Sequence, residues 1–201
     1  MAAGILRNSC LAVILSLLCA SAQAKVATIS LNALAKLSDL ILVAEVERVE
    51  LRAGVRVARI KTIQFVKGSA ECPIAFVAER TWTCDLSTAI AGERVLLYLS
   101  SIGKVKGRTM NGQDLGAAQA ACKKDGIQLY TLTHSGRGRI PLSLNKGQWV
   151  AGVTPGEGRG PGLNANLYVP KPIPTLQTSP GHKAVSLAEL VRRSATVRNR
   201  Q

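Results

Sequence analysis

From Asp39 to Ser69 the chain reads DLILVAEVERVELRAGVRVARIKTIQFVKGS. Two Val/Ile-rich runs flank Arg52-Ala53-Gly54, which predicts a long β-hairpin with Gly54 in the turn. The alternation of apolar and polar residues breaks in both runs. Val49 and Leu51 share a parity with Glu45 and Glu47, so the apolar face changes sides near Glu47, as a β-bulge would make it do. On the return run Val55 and Val57 give way to Arg59 and Lys61 on one parity while Ile60 takes the other. That predicts a second bulge or strong coiling there. Long strands that bend and change face suit a small closed barrel better than a flat sheet.

Further strands follow. PIAFVAER, after Cys72, alternates Ile74, Phe76 and Ala78 with more polar neighbours. ERVLLYLS, from Glu93, is apolar on both parities and predicts a central strand buried on two sides, entered through Gly92. After a mixed loop come IQLYTL (127–132), IPLSL (140–144) and QWVAGV (148–153). A short helix precedes the hairpin, with Ser30 as cap and Leu31, Leu34 and Leu37 on one stripe. Another closes the chain: Ser186 and Glu189 form a capping box, Val185 and Leu190 are placed for a hydrophobic staple, and Leu187, Leu190 and Val191 make a docking stripe. Only 3% of residues are aromatic, so the core must be built from Val, Ile, Leu and Ala. The predicted fold is mainly β: an OB-like small β-barrel over residues 25–153, with a short N-terminal helix and a C-terminal helix in 182–201. Residues 154–181 hold six of the eight prolines and the GEGRGPG run, and are expected to form a coreless loop or flexible arm.

The first residues, MAAGILRNSCLAVILSLLCASAQA, have one cation (Arg7), an apolar run from Cys10 to Ala22 and a small-residue close. These are the parts of a secretory signal peptide over residues 1–24, cleaved between Ala24 and Lys25. Spanning lipid takes about 20 apolar residues, which the run falls short of. The expectation is a periplasmic or secreted protein with no transmembrane segment in the mature chain.

The series LSDLILVAEVERVE, ARIKTIQFVKGS, a cysteine, then AGERVLLYL resembles the netrin-like module, the OB-type barrel shared with the tissue inhibitors of metalloproteinases. Exported bacterial proteins carry the same order of motifs, and the resemblance covers about Leu31 to Leu132. It implies a barrel, and at Cys84–Cys122 it implies a disulfide joining neighbouring strand entrances; Cys72–Cys84 is the alternative pairing for three mature cysteines. It does not carry over inhibition. Those inhibitors hold the target's zinc through a disulfide-tethered N-terminal cysteine, whereas this mature chain begins Lys25-Val26-Ala27.

Chemistry-bearing residues are sparse. No thiol-protease signature surrounds a cysteine, the two histidines (His134 and His182) are far apart, and no metal-ligand spacing occurs. VKGSAE (66–71) shares letters with a phosphate loop but lacks its upstream glycines, and reads as a strand end and turn. No catalytic role, metal or other cofactor is expected. The formal net charge is +14, and it is uneven: from Lys25 to Ser100 ten Lys and Arg face eight Asp and Glu, while from Ser101 onward fifteen face four. With two Trp, three Tyr and two Phe, and with the export signal, nucleic acid is not the expected partner. An anionic envelope surface or a protein is. HSGRGRIP (134–141) reads as a turn between strands that exposes Arg137 and Arg139, and these with Arg192 and Arg193 are the candidate polyanion contacts. The function expected is an exported, non-catalytic binding or structural module of the cell envelope; the alternative is a secreted enzyme inhibitor, or an enzyme, acting through the barrel rim.

Overall fold

The computed structural model describes residues 28–79, 88–104, 114–155, 160–164 and 166–196; the leader and its Ala24–Lys25 cleavage point lie outside these residues. A two-residue strand, β1 (Ile29–Ser30), leads into helix α1 (Leu31–Leu37), where Ser30 Oγ accepts from Ala33 N at 3.1 Å. Leu31 and Leu34 are fully buried, but Leu37 is 53% exposed. Ala35 completes the buried face instead, because positions i, i+3 and i+4 of a helix lie side by side.

The hairpin is β2 (Leu40–Arg52) and β3 (Val55–Lys67), joined through Ala53 and Gly54 with φ of 48° and 80°. Two successive positive φ values give a turn whose twist matches that of the strands. Then come β4 (Ile74–Val77), β5 (Arg94–Ser101), helix α2 (Leu115–Lys124) and β6 (Gln128–Leu132). β2, β3, β4, β6 and β5 close on themselves: β4 pairs parallel with β6, β6 antiparallel with β5, and β5 antiparallel with β2. The result is the OB-like five-strand barrel.

The expected bulge is present, with Glu47 as the extra residue between Val46 and Arg48. The side chains facing the barrel interior pass there from Ala44 and Val46 to Val49. The second expected bulge, around Arg59, is absent; β3 carries its extra residues at Ile63 and Val66. The parity change at Val57 has another cause. β3 is buried on both faces there, Ala58 and Ile60 inside the barrel and Val55 and Val57 outside it under α2. Sequence alternation alone cannot separate a bulge from a strand with two dry faces.

Beyond the barrel β5 also pairs with β7 (Arg139–Asn145), and the sheet continues through β8 (Gln148–Val153). β9 (Gly162–Asn164) and β10 (Leu167–Tyr168) join β1 in a small separate sheet. β11 (Leu176–Ser179) and β12 (His182–Ser186) complete the large sheet along β8, and helix α3 (Leu187–Thr196) follows. A second core, between the outer face of the sheet and the two helices α1 and α3, centres on Leu96, Tyr98, Ile140, Val185 and Leu190.

The mixed loop before β6 contains α2, capped by Asp114, whose Oδ1 accepts from Gly116 N at 2.8 Å. The proline-rich stretch expected to be coreless supplies β9, β10 and β11, with Leu167 and Val169 essentially fully buried in the second core. Prolines and glycines between such short strands mark turns here rather than an arm. Among the described residues no helix is long and apolar enough to cross a membrane.

Candidate binding groove

HSGRGRIP is a turn, as expected, but a buried one. His134 and Ser135 have φ of 53° and 59°, and Ser135–Gly138 forms a single 3-10 turn. A Cβ on Gly138 would lie 2.6 Å from Tyr98 O and 2.8 Å from Thr133 N, so only glycine lets the backbone press this closely on β5 and the end of β6. Arg137 and Arg139, expected to be exposed, are 8% and 6% exposed. The cause is tertiary. Arg139 Nε donates to Glu93 Oε1 at 2.9 Å, and Asn164 Nδ2 donates to the carbonyls of Gly136 (2.9 Å) and Arg139 (2.7 Å), clasping the turn from the segment expected to be an arm.

On α3, Arg192 reaches both oxygens of Glu189 at 2.8 and 2.6 Å, and Arg193 Nε donates to Glu189 Oε1 at 2.7 Å. Hydrogen bonds from Arg192 and then Arg193 hold the Glu189 carboxyl down at about 2. Arg193 also donates to the carbonyls of Pro170 and Pro172, so its side chain is only 15% exposed, against 61% for Arg192. Of the four candidate polyanion contacts, Arg192 alone is well exposed.

Cys122 lies on the buried face of α2, and burial pushes its thiol pKa up. Cys72 is exposed; both are free thiols, and Cys84 lies outside the described residues. Both expected bridges involve Cys84 and so fall outside the described residues. Cys122 is turned into the layer under α2 with Val55 and Val57. The VKGS motif is structural: Lys67 Nζ donates to the carbonyls of Ala35 (2.9 Å) and Ser38 (2.6 Å), a cation at the C-terminal end of α1. Among the described residues no group of three or more His, Cys, Asp or Glu could hold a metal ion.

A concave feature lies where α3 meets the sheet. Lys146 and Gly147 (φ 47° and 80°) turn β7 into β8, and the register sets Leu144 opposite Trp149. Opposed residues of an antiparallel pair share a face. By the same rule Glu45, Arg94 and Leu142 form a row across β2, β5 and β7. The Arg94 guanidinium stacks over the Trp149 ring at 4.2 Å from its centroid, and its Nη2 lies 3.4 Å from Glu45 Oε2. Beside this platform runs a groove of about 630 Å³ lined by Gln64, Gln148, Trp149, Leu187, Val191 and Arg192, with Ser186 and Ala188. Ser186 Oγ, its hydroxyl, accepts from Glu189 N at 3.3 Å and so caps α3. The lining offers an aromatic surface, an apolar helix wall, two amides and a guanidinium. Such a set has the chemistry to stack against and hydrogen-bond a ligand.

Sequence reasoning missed the groove. Trp149 read as an ordinary strand residue, although a Trp in a chain with 3% aromatics was a signal worth following. No protein-family model matches the chain, and neither a curated protein nor a solved structure does.

Proposed function

We propose that this chain is an exported, non-catalytic binding module of the cell envelope, which takes its partner in the groove between the β7–β8 hairpin and α3. The groove carries this reading: Trp149, steadied by Arg94, faces an apolar helix wall edged by Gln64, Gln148 and Arg192. Export rests on the leader, with its charged start, apolar middle and Ala22-Gln23-Ala24 close. Membership of the netrin-like modules rests on the order of sequence motifs, and the closed five-strand barrel supports it. Adsorption to a polyanionic surface has less support than the charge suggests, because Arg137, Arg139 and Arg193 are buried or bonded within the fold.

The test has two parts. N-terminal sequencing of protein recovered from the periplasm or medium should begin at Lys25, and recovery of an intact leader in the cytoplasm overturns export. The mature protein, immobilised, should retain a partner from envelope extract that the Trp149→Ala variant does not. Equal retention by the two overturns the groove as the binding site.

A further inference from the structure

We infer that the groove takes an acidic, extended segment of a protein partner, seating an apolar side chain against Trp149; this rests on the binding-module reading above. Two sets of observations converge on that occupant. The first is exposed apolar surface. Leu144, directly opposite Trp149, is 61% exposed, and Leu187 and Val191 of α3 are only partly buried along the groove wall. An aromatic residue flanked by aliphatic ones and a surface arginine is the composition of an interface centre.

The second is charge. Register places Lys61 opposite Glu45 and Arg94 on the other side of it, Lys146 stands in the turn beside Gln148, and Arg192 lines the groove. These four cations face two acids, Glu45 and Glu189, in a chain whose net charge is already +14. A second copy of the chain, or any basic segment, meets repulsion there; an acidic one is attracted. A sulfated or phosphorylated polymer fits less well. Its affinity comes from many cations turned outward, whereas here Arg192 is shared with Glu189 and the wall beside it is aliphatic.

The mature protein, labelled with nitrogen-15, is titrated while the Trp149 indole resonance is followed, assigned by its loss in Trp149→Phe. Five probes are used: a blocked octapeptide of Asp and Glu around a central Phe; the same peptide with Lys for the acids; the acidic peptide with Ser for Phe; dextran sulfate; and phosphatidylglycerol vesicles. The expected result is a saturable shift with the first peptide, and affinity at least about tenfold lower for the Lys and Ser versions. Leu144→Glu and Arg192→Glu should each weaken binding about tenfold. Leu144 is exposed, so its variant tests the groove with the fold intact, which circular dichroism verifies. A preferential shift with dextran sulfate or vesicles overturns the peptide class while leaving a binding module standing. No shift with any peptide overturns the inference as well, even where envelope extract still yields a Trp149-dependent partner. Unchanged affinity in both Leu144→Glu and Arg192→Glu removes the peptide from this groove.

Discussion

Ser194 Oγ donates to Leu190 O at 2.7 Å, so its lone pair is left to accept the phenol hydrogen of Tyr98, 2.6 Å away. Both residues are buried, and burial pushes the Tyr98 pKa far up. The two partners are not equivalent. Tyr98→Phe removes a donor and leaves Ser194 still bonded to Leu190, which should cost about 1 kcal/mol. Ser194→Ala leaves a buried hydroxyl donor without an acceptor and should cost about 1–3 kcal/mol. Urea titrations of the two variants check this, and a larger loss in Tyr98→Phe contradicts it. The ion pairs differ in the same way. Glu93→Gln removes the carboxylate from a pair in which the Arg139 side chain is 7% exposed, and should cost more than about 1 kcal/mol. Arg48→Gln breaks a pair with Glu50 in which the arginine is 55% exposed, and should cost under about 1 kcal/mol. Comparable losses in the two would show that burial does not set the difference. These environments could not be read from sequence: Arg139 and Arg48 look alike as letters, and the clasp by Asn164 and Glu93 is a tertiary one.

Helix α3 shows what capping signals do and do not predict. Ser186 caps the helix as expected, but the Glu189 carboxylate goes to Arg192 and Arg193, which lie one turn further along the same side. Arg193 then reaches the carbonyl of Pro170, tying α3 to the segment before β11. Acid should loosen this tie. The Glu189 carboxyl, ordinarily near 4.5, is held at about 2 in the folded chain, so its contribution to stability is complete above pH 4.5 and lost as pH falls towards 2. Unfolding midpoints measured between pH 5 and about 2 should therefore fall less in Glu189→Gln than in the parent chain. Parallel pH curves would remove Glu189 from that role. α2 was legible in principle: Asp114, an alanine-rich run, Lys123 and Lys124 in the last turn and Gly126 after it are ordinary helix start and stop signals. Its modest apolar content hid it, since it buries only Leu115, Ala118 and Cys122.

At the scale of the molecule the two cores share one wall. β2 and β5 send Leu42, Val95, Leu97 and Leu99 into the barrel, and Ile41, Val43, Leu96 and Tyr98 out beneath α1 and α3. The outer core is completed by Leu167, Val169, Val185 and Leu190, all from beyond residue 153. A fragment ending at residue 153 should therefore expose the outer face of β5 and β7 and fail to unfold cooperatively. A cooperative urea transition in that fragment, with near-native near-ultraviolet circular dichroism, would show that the barrel stands alone.

The sequence by itself determined the local features: a hairpin turning at Ala53-Gly54, a bulge at Glu47, a central strand apolar on both parities, and Ser30 and Ser186 as caps. Each rests on residues close together in the chain, where period and turn chemistry act directly. Tertiary structure alone decided the burial of Arg137 and Arg139, the folding of the proline-rich stretch onto the outer core, and the turning of Cys122 under α2. It also made the groove, which joins Gln64 to Trp149 and Arg192 from three elements far apart in the chain. Their meeting depends on strand register and helix packing, which local pattern does not encode.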